Sequence, residues 1–217
     1  MLFNNTGSAP TIDISNNASI CDSASILKNG GLIAFPTDTV YGIGALYTNT
    51  SAVQRLYNVK SRAPTKAIPI LVGKLSDIWG LSTDVTQSTK TLAEAFWPGP
   101  LSLVVYKSNS VPAIVAPGST VALRSPNHSW LLELLNHVGP LAVSSANKSG
   151  ESDATSYTEV QASLGNKLDL IVSGKTIRQS LPSTIVDCSV DPPKVIREGP
   201  ISALSVKTVV WRVGSSP

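Results

Sequence analysis

Cysteine, histidine and charged residues are all scarce in this 217-residue chain, and each scarcity excludes a class of protein. Cys21 and Cys188 stand far apart, and with only His128 and His137 they form no zinc-binding spacing. Two lone cysteines fit a reducing compartment. Charged residues make up 14%, and the net charge of +3 is too mild for a disordered tail or a dedicated nucleic-acid arm, although a local basic groove is allowed.

Long apolar runs and targeting signals are also missing. No run approaches the ~18 apolar residues of a membrane span. Residues 1–19 are polar and contain no Lys or Arg, so they match neither a signal peptide nor an Arg-rich transit peptide. We expect a cytoplasmic protein without a membrane contact, and an organellar form with an atypical leader stays open. Residues 1–19 are predicted to be a disordered or loosely attached arm. Residues 20–217 are predicted to be one domain, since no linker rich in Pro, Gly or Ser divides them.

The apolar residues, 42% of the chain, support a sizeable core and alternate between strand-like and helix-like patterns. Helices are predicted at 23–29, 50–60, 76–81, 86–96, 129–138 and 158–164. Strands are predicted at 32–35, 68–72, 101–106, 120–124, 141–143, 168–172, 184–186, 195–197 and 206–213. This alternation predicts an α/β fold. Several late strands follow one another without a helix, so we expect a twisted, mixed parallel and antiparallel sheet flanked by helices.

The stretch 32–44 is the most informative part of the sequence. Its apolar strand should stop at Pro36, which cannot donate to a sheet ladder. Three oxygen-bearing side chains follow, those of Thr37, Asp38 and Thr39. Gly42 and Gly44 permit a close approach of backbone or a positive φ. Ligands of α/β sheets bind beyond the carboxyl ends of strands, so these residues predict one wall of a site. A polar turn after a core strand is the alternative, with about equal weight.

Four further elements carry polar chemistry. Lys60, Arg62 and Lys66 could bind a triphosphate, although solvated charge at a helix end is the simpler explanation of these residues taken alone. The loop 144–147 could meet a ribose, phosphate or carboxylate, or be an ordinary Ser/Asn turn. Arg124 and Arg197 end apolar strands, where a guanidinium needs either a ligand anion or a structural partner. The segment 183–187 leads two hydroxyls into a strand.

Several familiar catalytic patterns are absent. The chain has no Walker A sequence, no G-x-G-x-x-G, no G-x-S-x-G and no histidine beside a nucleophile. What remains is a set of hydroxyls, amides and cations. Such a set suits the binding and polarising of anionic groups better than covalent catalysis, so no catalytic nucleophile is predicted.

Taken together and in this order, the elements resemble the YrdC/Sua5 family of threonylcarbamoyl-AMP synthases. The resemblance covers roughly residues 20–204 and implies the YrdC-like fold. The matching pieces are the segments 35–44, Lys60-Ser61-Arg62, 97–101, 121–124, Ser145-Ala146-Asn147 with Ser149-Gly150, 183–187 and 196–200. The chain ends where longer members continue into a second domain, so it resembles the short, single-domain form.

The resemblance implies a reaction in which L-threonine, bicarbonate or CO2 and ATP give threonylcarbamoyl-adenylate and pyrophosphate. The product would serve the downstream machinery that makes N6-threonylcarbamoyladenosine at position 37 of tRNAs reading ANN codons, with weak tRNA binding also possible. Mg2+ would accompany ATP through the phosphate oxygens. The carbamate of threonine would attack the α-phosphate, so positioning, which supplies up to roughly 7–11 kcal/mol in model systems, would be the main catalytic device.

The resemblance also implies residue roles. L-Threonine would be held by Thr39, Arg124, Ser183 and the backbone of Val143, with Arg124 on the carboxylate. ATP would be held by Lys60, Arg62, Lys66, Thr120, Val143, Ser145, Asn147 and Arg197. Three departures from the family pattern, at Ala63, Asp153 and 180–182, make the loops 148–156 and 174–183 the parts where ATP contacts could differ.

Two other functions stay open at this stage. One is a non-catalytic RNA-binding or tRNA-binding module on the same fold, although the cations are dispersed and no aromatic platform accompanies them. The other is a carbamoyl-adenylate-forming enzyme like the related domain of hydrogenase maturation.

Overall fold

A computed structural model describes residues 8–175 and 181–214. Its ten strands form one sheet in the order β1-β8-β2-β3-β7-β4-β6-β5-β9-β10. The strands are β1 Thr11–Asp13, β2 Ile33–Phe35, β3 Gly42–Leu46, β4 Ile70–Leu71, β5 Leu101–Tyr106, β6 Thr120–Arg124, β7 Leu141–Ser145, β8 Leu170–Ser173, β9 Thr184–Asp187 and β10 Lys194–Arg197. The helices are α1 Ser19–Lys28, α2 Thr50–Lys60, α3 Ile78–Leu81, α4 Gln87–Phe96, α5 Ser129–Val138, α6 Tyr157–Leu164 and α7 Ala203–Gly214.

The sheet is mixed, as the sequence predicts. Strand β2 runs parallel to β8 and antiparallel to β3, and β5 runs parallel to β9 and antiparallel to β6. Helices pack on both faces. One core includes apolar residues of α2, α4, α6 and α7, while a second core lies between the other face and helices α1 and α5. Among the described residues, no helix has the length and apolar character needed to span a membrane.

Half of one sheet face has no described helix over it. Arg124 of β6 pairs in register with Leu71, which belongs to the core under α1 and α5, so both side chains point to that face. Farther along the same face, Ala122 and its cross-strand partner Val104 are partly exposed, as is Ile185 of β9. Apolar side chains in central strands are normally covered in a mixed α/β sheet. The β6-β5-β9 half of this face is therefore the floor of an open cleft.

Two predictions near the termini are wrong. Within the predicted arm of residues 1–19, Thr11–Asp13 forms strand β1, which pairs with β8, and Ser19 already begins α1. Polar edge strands lack the apolar signal on which the prediction relied. The predicted strand 206–213 is helix α7. Its valines favour strands by propensity, but Val206, Val209 and Val210 face the core at helical i, i+3, i+4 spacing, and tertiary packing decides the outcome.

The glycines of the 32–44 stretch lie in a strand that the sequence analysis missed, β3. Neither Gly42 nor Gly44 has a positive φ, so close packing is the reason for them. A Cβ on Gly44 would lie 3.0 Å from a methyl group of Val143 and 3.1 Å from the ring of Phe35. Phe35 therefore packs directly on the β3 backbone, beneath the loop that carries the polar residues.

Gly44→Ala is expected to destabilise the protein by about 1–3 kcal/mol, because Phe35 and Val143 must both move to admit the methyl group. Chemical denaturation measures this change. Gly118→Ala is the matched control, since no atom lies within 4 Å of a Cβ at that position. An equal, small effect in the two variants would contradict the packing argument.

Candidate active site

A buried ion pair joins two of the polar elements singled out in the sequence. The Arg124 guanidinium donates from Nη2 to Asp38 Oδ1 at 2.6 Å, from Nε to the Gly99 carbonyl at 3.0 Å and from Nη1 to Thr39 Oγ1 at 3.4 Å. Arg124 is 8% exposed and Asp38 3%. The sequence left a ligand anion and a structural partner as alternatives for Arg124, and the structure contains a structural partner, Asp38. Two of the five N–H groups of Arg124 nevertheless have no hydrogen bond among the described residues.

This pair brings distant parts of the sheet together. Strand β2, which leads into Asp38, is separated from β6 by three strands, β3, β7 and β4. The loop after β2 therefore extends across the sheet face to reach Arg124. Thr37 stabilises the loop, because its hydroxyl donates to the Val40 carbonyl at 2.7 Å and accepts from the Thr39 amide at 3.0 Å. The loop that the sequence predicts to be a site wall is therefore held both by its own hydrogen bonds and by Arg124.

A second group of polar side chains adjoins Arg124 on the neighbouring strands. The hydroxyls of Ser102 and Ser183 are 2.9 Å apart and both residues are buried. Arg197 donates from Nη2 to the Ser183 carbonyl at 2.8 Å. Burial lowers the pKa of Arg197, and the nearby positive charge of Arg124 lowers it further. Two arginines near each other make this part of the cleft favourable for an anion.

Lys60 is the most deeply buried cation of the site. It is 2% exposed, and its Nζ donates to the carbonyls of Ser145 and Asn147 and to Asn147 Oδ1 at 3.3 Å. The Lys60 carbonyl accepts from the Ser149 amide at 2.8 Å, so the residue holds the loop 145–149 from both ends. Burial and the charge of Arg62 lower the pKa of Lys60 to about 8. All three donors of the ammonium are used within the protein.

The remaining predicted ATP-side residues are less buried. Arg62 donates to the carbonyls of Ala67, at 2.8 Å, and Lys66, at 3.3 Å, while Lys66 itself is exposed. Thr120 is on the same strand and face as Arg124, four residues and about 13 Å away. Val143 is 8% exposed, and its amide donates to the Pro69 carbonyl at 2.9 Å.

Asp153 is exposed in the loop 148–156. Burial lowers the pKa of both Lys60 and Arg197, and the negative charge of Asp153 offsets part of that lowering in each. Neighbouring Ala154 is fixed by its carbonyl, which accepts from the Tyr41 amide at 2.8 Å. The loop 148–156 thus borders the cleft. Of the other loop in which the sequence departs from the family pattern, 174–183, residues 176–180 lie outside the described residues.

His128 is a further polar residue close to Asp38. No sequence pattern predicted that His128 belongs to the site. It is the N-cap of α5, where its Nδ1 accepts from the Leu131 amide at 3.4 Å. Burial lowers the pKa of His128, and the charge of Asp38 raises it by a smaller amount. The imidazole is therefore kept neutral near pH 7, so it caps the helix without adding charge to the cleft.

Two other residues of the site received no role from the sequence. Asp38 was noted only as one of three oxygen-bearing side chains, and Ser102 not at all. A signal existed for Ser102, since it is a hydroxyl residue within an otherwise apolar strand. The pairing of Asp38 with Arg124 had no local signal, because 86 residues separate them.

The fold and the cleft together define a class of protein. It is an α/β protein with an open, partly uncovered sheet face, and the polar residues beside this face are arginines, a lysine, hydroxyls, amides and the carboxylate of Asp38. Such a cleft is suited to binding small anionic molecules.

Comparison with known proteins gives the family. The Sua5/YciO/YrdC family model, described as "Telomere recombination", matches residues 25–199, and the chain belongs to this family. A Mycobacterium leprae protein provisionally named a threonylcarbamoyl-AMP synthase is 38% identical over 198 residues, which are 91% of this chain and 90% of that protein. The threonylcarbamoyl-AMP synthase of Pyrococcus abyssi is 34% identical over 197 residues, but the match spans only 58% of its length.

Solved structures agree with this assignment. P. abyssi Sua5 in complex with L-threonine superimposes with a TM-score of 0.88 at 32% identity, covering 93% of this chain and 60% of that one. Full-length HypF, solved with phosphate and nucleotide, has a TM-score of 0.72 at 16% identity, covering 82% of this chain and 28% of that one. At such low identity, the likeness to HypF concerns the fold alone.

Lys60→Met is expected to loosen the loop 145–149 without unfolding the protein. The methionine leaves the carbonyls of Ser145 and Asn147 without their donor, but it also removes a buried charge, so the two effects offset each other globally. Hydrogen exchange of the free protein should accelerate about tenfold or more in this loop and little elsewhere. Lys148→Met, in the same loop but exposed, should leave the exchange rate nearly unchanged. Equal protection in the two variants would contradict the holding role of Lys60.

The lowered pKa of His128 predicts a dependence of stability on pH. The pKa of His128 is 6.5 in the unfolded chain and lower in the folded protein. As the pH falls through 6.5, the unfolded chain therefore binds a proton before the folded protein does, and the free energy of unfolding decreases. His128→Asn keeps a good N-cap and removes this titration, so its loss of stability between pH 7.5 and 5 should be smaller than that of the wild type. Exposed His137→Asn is the control and should lose as much as the wild type. Denaturation curves at the two pH values measure this, and identical losses in all three proteins would refute the prediction.

Proposed function

We propose that this protein is a threonylcarbamoyl-AMP synthase, which makes L-threonylcarbamoyladenylate and pyrophosphate from L-threonine, bicarbonate or CO2 and ATP. The observation that carries the proposal is the polar constellation of the cleft, in which the Arg124 guanidinium keeps two unbonded N–H groups beside the Thr39 hydroxyl and the Ser102–Ser183 hydroxyl pair. The similarity to named synthases over nine tenths of the chain supports it.

L-Threonine would occupy the pocket bordered by Arg124, Thr39 and Ser183. The two unbonded N–H groups of Arg124 would receive the carboxylate, and a bidentate contact of this kind is strong. The hydroxyls of Thr39 and Ser183 would form hydrogen bonds with the threonine hydroxyl, and the backbone of Val143 would border the pocket. The substrate would thus be oriented by polar groups that are already held by the protein, which reduces the ordering cost of binding.

ATP would lie along the open sheet face and the loop 145–149. Arg62, Lys66 and Arg197 are the cations with exposed or half-exposed side chains, so we assign them to the phosphates. Lys60, whose donors are used, would act by holding Ser145 and Asn147 in place. Thr120, about 13 Å from Arg124 along one strand, would lie at the nucleoside end.

The reaction follows from this placement. The threonine amine condenses with bicarbonate to a carbamate and water. A carbamate oxygen then bonds to the α-phosphorus while the bond from that phosphorus to the β-phosphate oxygen breaks, and pyrophosphate carries away the electron pair. Arg62, Lys66 and Arg197 would stabilise the charge that develops on the departing phosphates. Alignment of two bound anions, rather than a nucleophilic side chain, supplies the acceleration.

Mg2+ would enter with ATP. Among the described residues, no three acidic, histidine or cysteine side chains cluster. The donors that suit Mg2+ in this cleft would therefore be phosphate oxygens and water, with the ion neutralising phosphate charge. The product would be passed to the enzymes that install N6-threonylcarbamoyladenosine in tRNAs reading ANN codons, with at most weak direct tRNA binding. The free thiols of Cys21 and Cys188 suit the cytoplasm.

Neither alternative function has comparable support. An RNA-binding module needs clustered, exposed cations on one surface, whereas Lys60, the first of the three cations that could form a basic groove, is buried. A carbamoyl-adenylate-forming enzyme has no use for an amino-acid pocket, and the likeness to HypF is limited to the fold.

Pyrophosphate release from ATP and Mg2+ is expected to require both L-threonine and bicarbonate, with L-serine much less effective.

Arg124→Gln should raise the KM for threonine at least about tenfold, since it removes a charge-assisted bidentate contact. Half-exposed Lys90→Gln, on α4 at the other face of the sheet, should behave as wild type. Release without threonine, or no release under any combination of substrates, would overturn the proposed function.

A further inference from the structure

Asp38 holds one carboxylate oxygen for which the protein supplies no donor. The residue is 3% exposed, and its Oδ1 accepts from Arg124 at 2.6 Å. Its Oδ2 is buried and has no hydrogen bond among residues 8–175 and 181–214. A buried oxygen without a donor destabilises the folded protein, and more so when it carries charge. Native proteins rarely leave such an atom unbonded, so Oδ2 marks a place for a donor from outside the chain.

The groups around Oδ2 restrict what that donor can be. Two polar residues adjoin the ion pair. Thr39 accepts from Arg124, and His128, which the charge of Asp38 affects, is neutral and hydrogen-bonded to the Leu131 amide and to the backbone of Lys175. Arg124, the ionic partner, has one free N–H on each of Nη1 and Nη2 with respect to the described residues. The same ion pair therefore offers donors for a carboxylate and, beside them, an acceptor for an N–H group.

This combination matches one chemical class of ligand. In an α-amino acid, the carboxylate and the amine are attached to the same carbon. When Arg124 binds the carboxylate, the amine therefore lies close to Asp38. An unpaired arginine would accept any carboxylate, whereas an arginine–aspartate pair is neutral and favours a carboxylate with an adjacent amine. We propose that Asp38 recognises the amine of the amino-acid substrate, with Oδ2 accepting a hydrogen bond from its N–H while Arg124 binds the carboxylate.

This contact, which rests on the proposed function, would also orient the reacting nitrogen. When the neutral amine condenses with bicarbonate to a carbamate, the new N–C bond replaces one N–H. Its proton leaves with the bicarbonate hydroxyl as water, and the other N–H remains. Oδ2 can hold that remaining N–H in substrate and carbamate alike. The nitrogen lone pair is then directed away from Asp38, toward the carbon that it attacks. Asp38 is in this sense a specificity-determining and positioning residue, in addition to its structural contact with Arg124.

The experiment compares two ligands that differ only in the amine. L-Threonine and (3R)-3-hydroxybutanoate, which is threonine without its amine, are titrated calorimetrically into the full chain with an ATP analogue that cannot release pyrophosphate. The wild type should bind threonine at least about tenfold more tightly. Asp38→Asn keeps an oxygen for Arg124 and replaces the second oxygen by a donor, so this preference should fall to within about threefold. Exposed Asp84→Asn should keep the wild-type preference.

The outcomes separate the possibilities. If Asp38→Asn weakens both ligands equally and preserves the preference, Asp38 acts only through Arg124, and the proposed amine contact is wrong. If the wild type binds the two ligands equally well, the contact is also wrong, and this comparison needs no variant. If the wild type binds neither ligand, the proposed function is wrong together with the amine contact. Equal binding of both ligands, by contrast, contradicts only the amine contact.

Discussion

The buried pair of Asp38 and Arg124 is the interaction on which the arrangement of the cleft depends. It joins a loop that follows one strand to a strand four places away in the sheet, so it fixes the distance between the two walls of the site. A buried ion pair gains little net stability, because both charges lose their hydration. Its value here is geometric, since it directs a guanidinium into the cleft in one orientation and holds the loop across the sheet.

Lys60 shows the same principle on the side of the cleft that we propose for the nucleotide. An ammonium buried without a carboxylate partner is costly, and the lowered pKa reflects that cost. The carbonyls of Ser145 and Asn147 offset part of it, and the bond from the Ser149 amide to the Lys60 carbonyl adds a second attachment. The end of α2 and the loop after β7 thereby become one rigid unit. Cationic residues that are free to meet phosphates, such as Lys66, lie around this unit rather than in it.

The uneven covering of the sheet places the cleft. Helices α1 and α5 cover one half of a face, and the other half, formed by β6, β5 and β9, leaves side chains such as Ala122 and Val104 partly exposed. Anionic ligands can lie along this surface while arginines at its border, Arg124 and Arg197, supply charge. Gly44 contributes from beneath, because the absence of a side chain lets Phe35 pack against the strand and keeps the polar loop close to the sheet.

The sequence by itself determined the elements whose signal is local. The helical spacing of Val53, Leu56, Tyr57 and Lys60 gave α2 and placed a lysine on its apolar face, and the mixed sheet followed from consecutive late strands without helices. The order of the polar motifs was sufficient to indicate the family. Only the tertiary structure decided the rest. The valines of α7 carry a strand propensity that packing overrides, and β1 is defined by its partner strand rather than by its own residues. The contacts of Asp38 with Arg124 and of Lys60 with Asn147 join residues more than 80 positions apart, where no local pattern can register them.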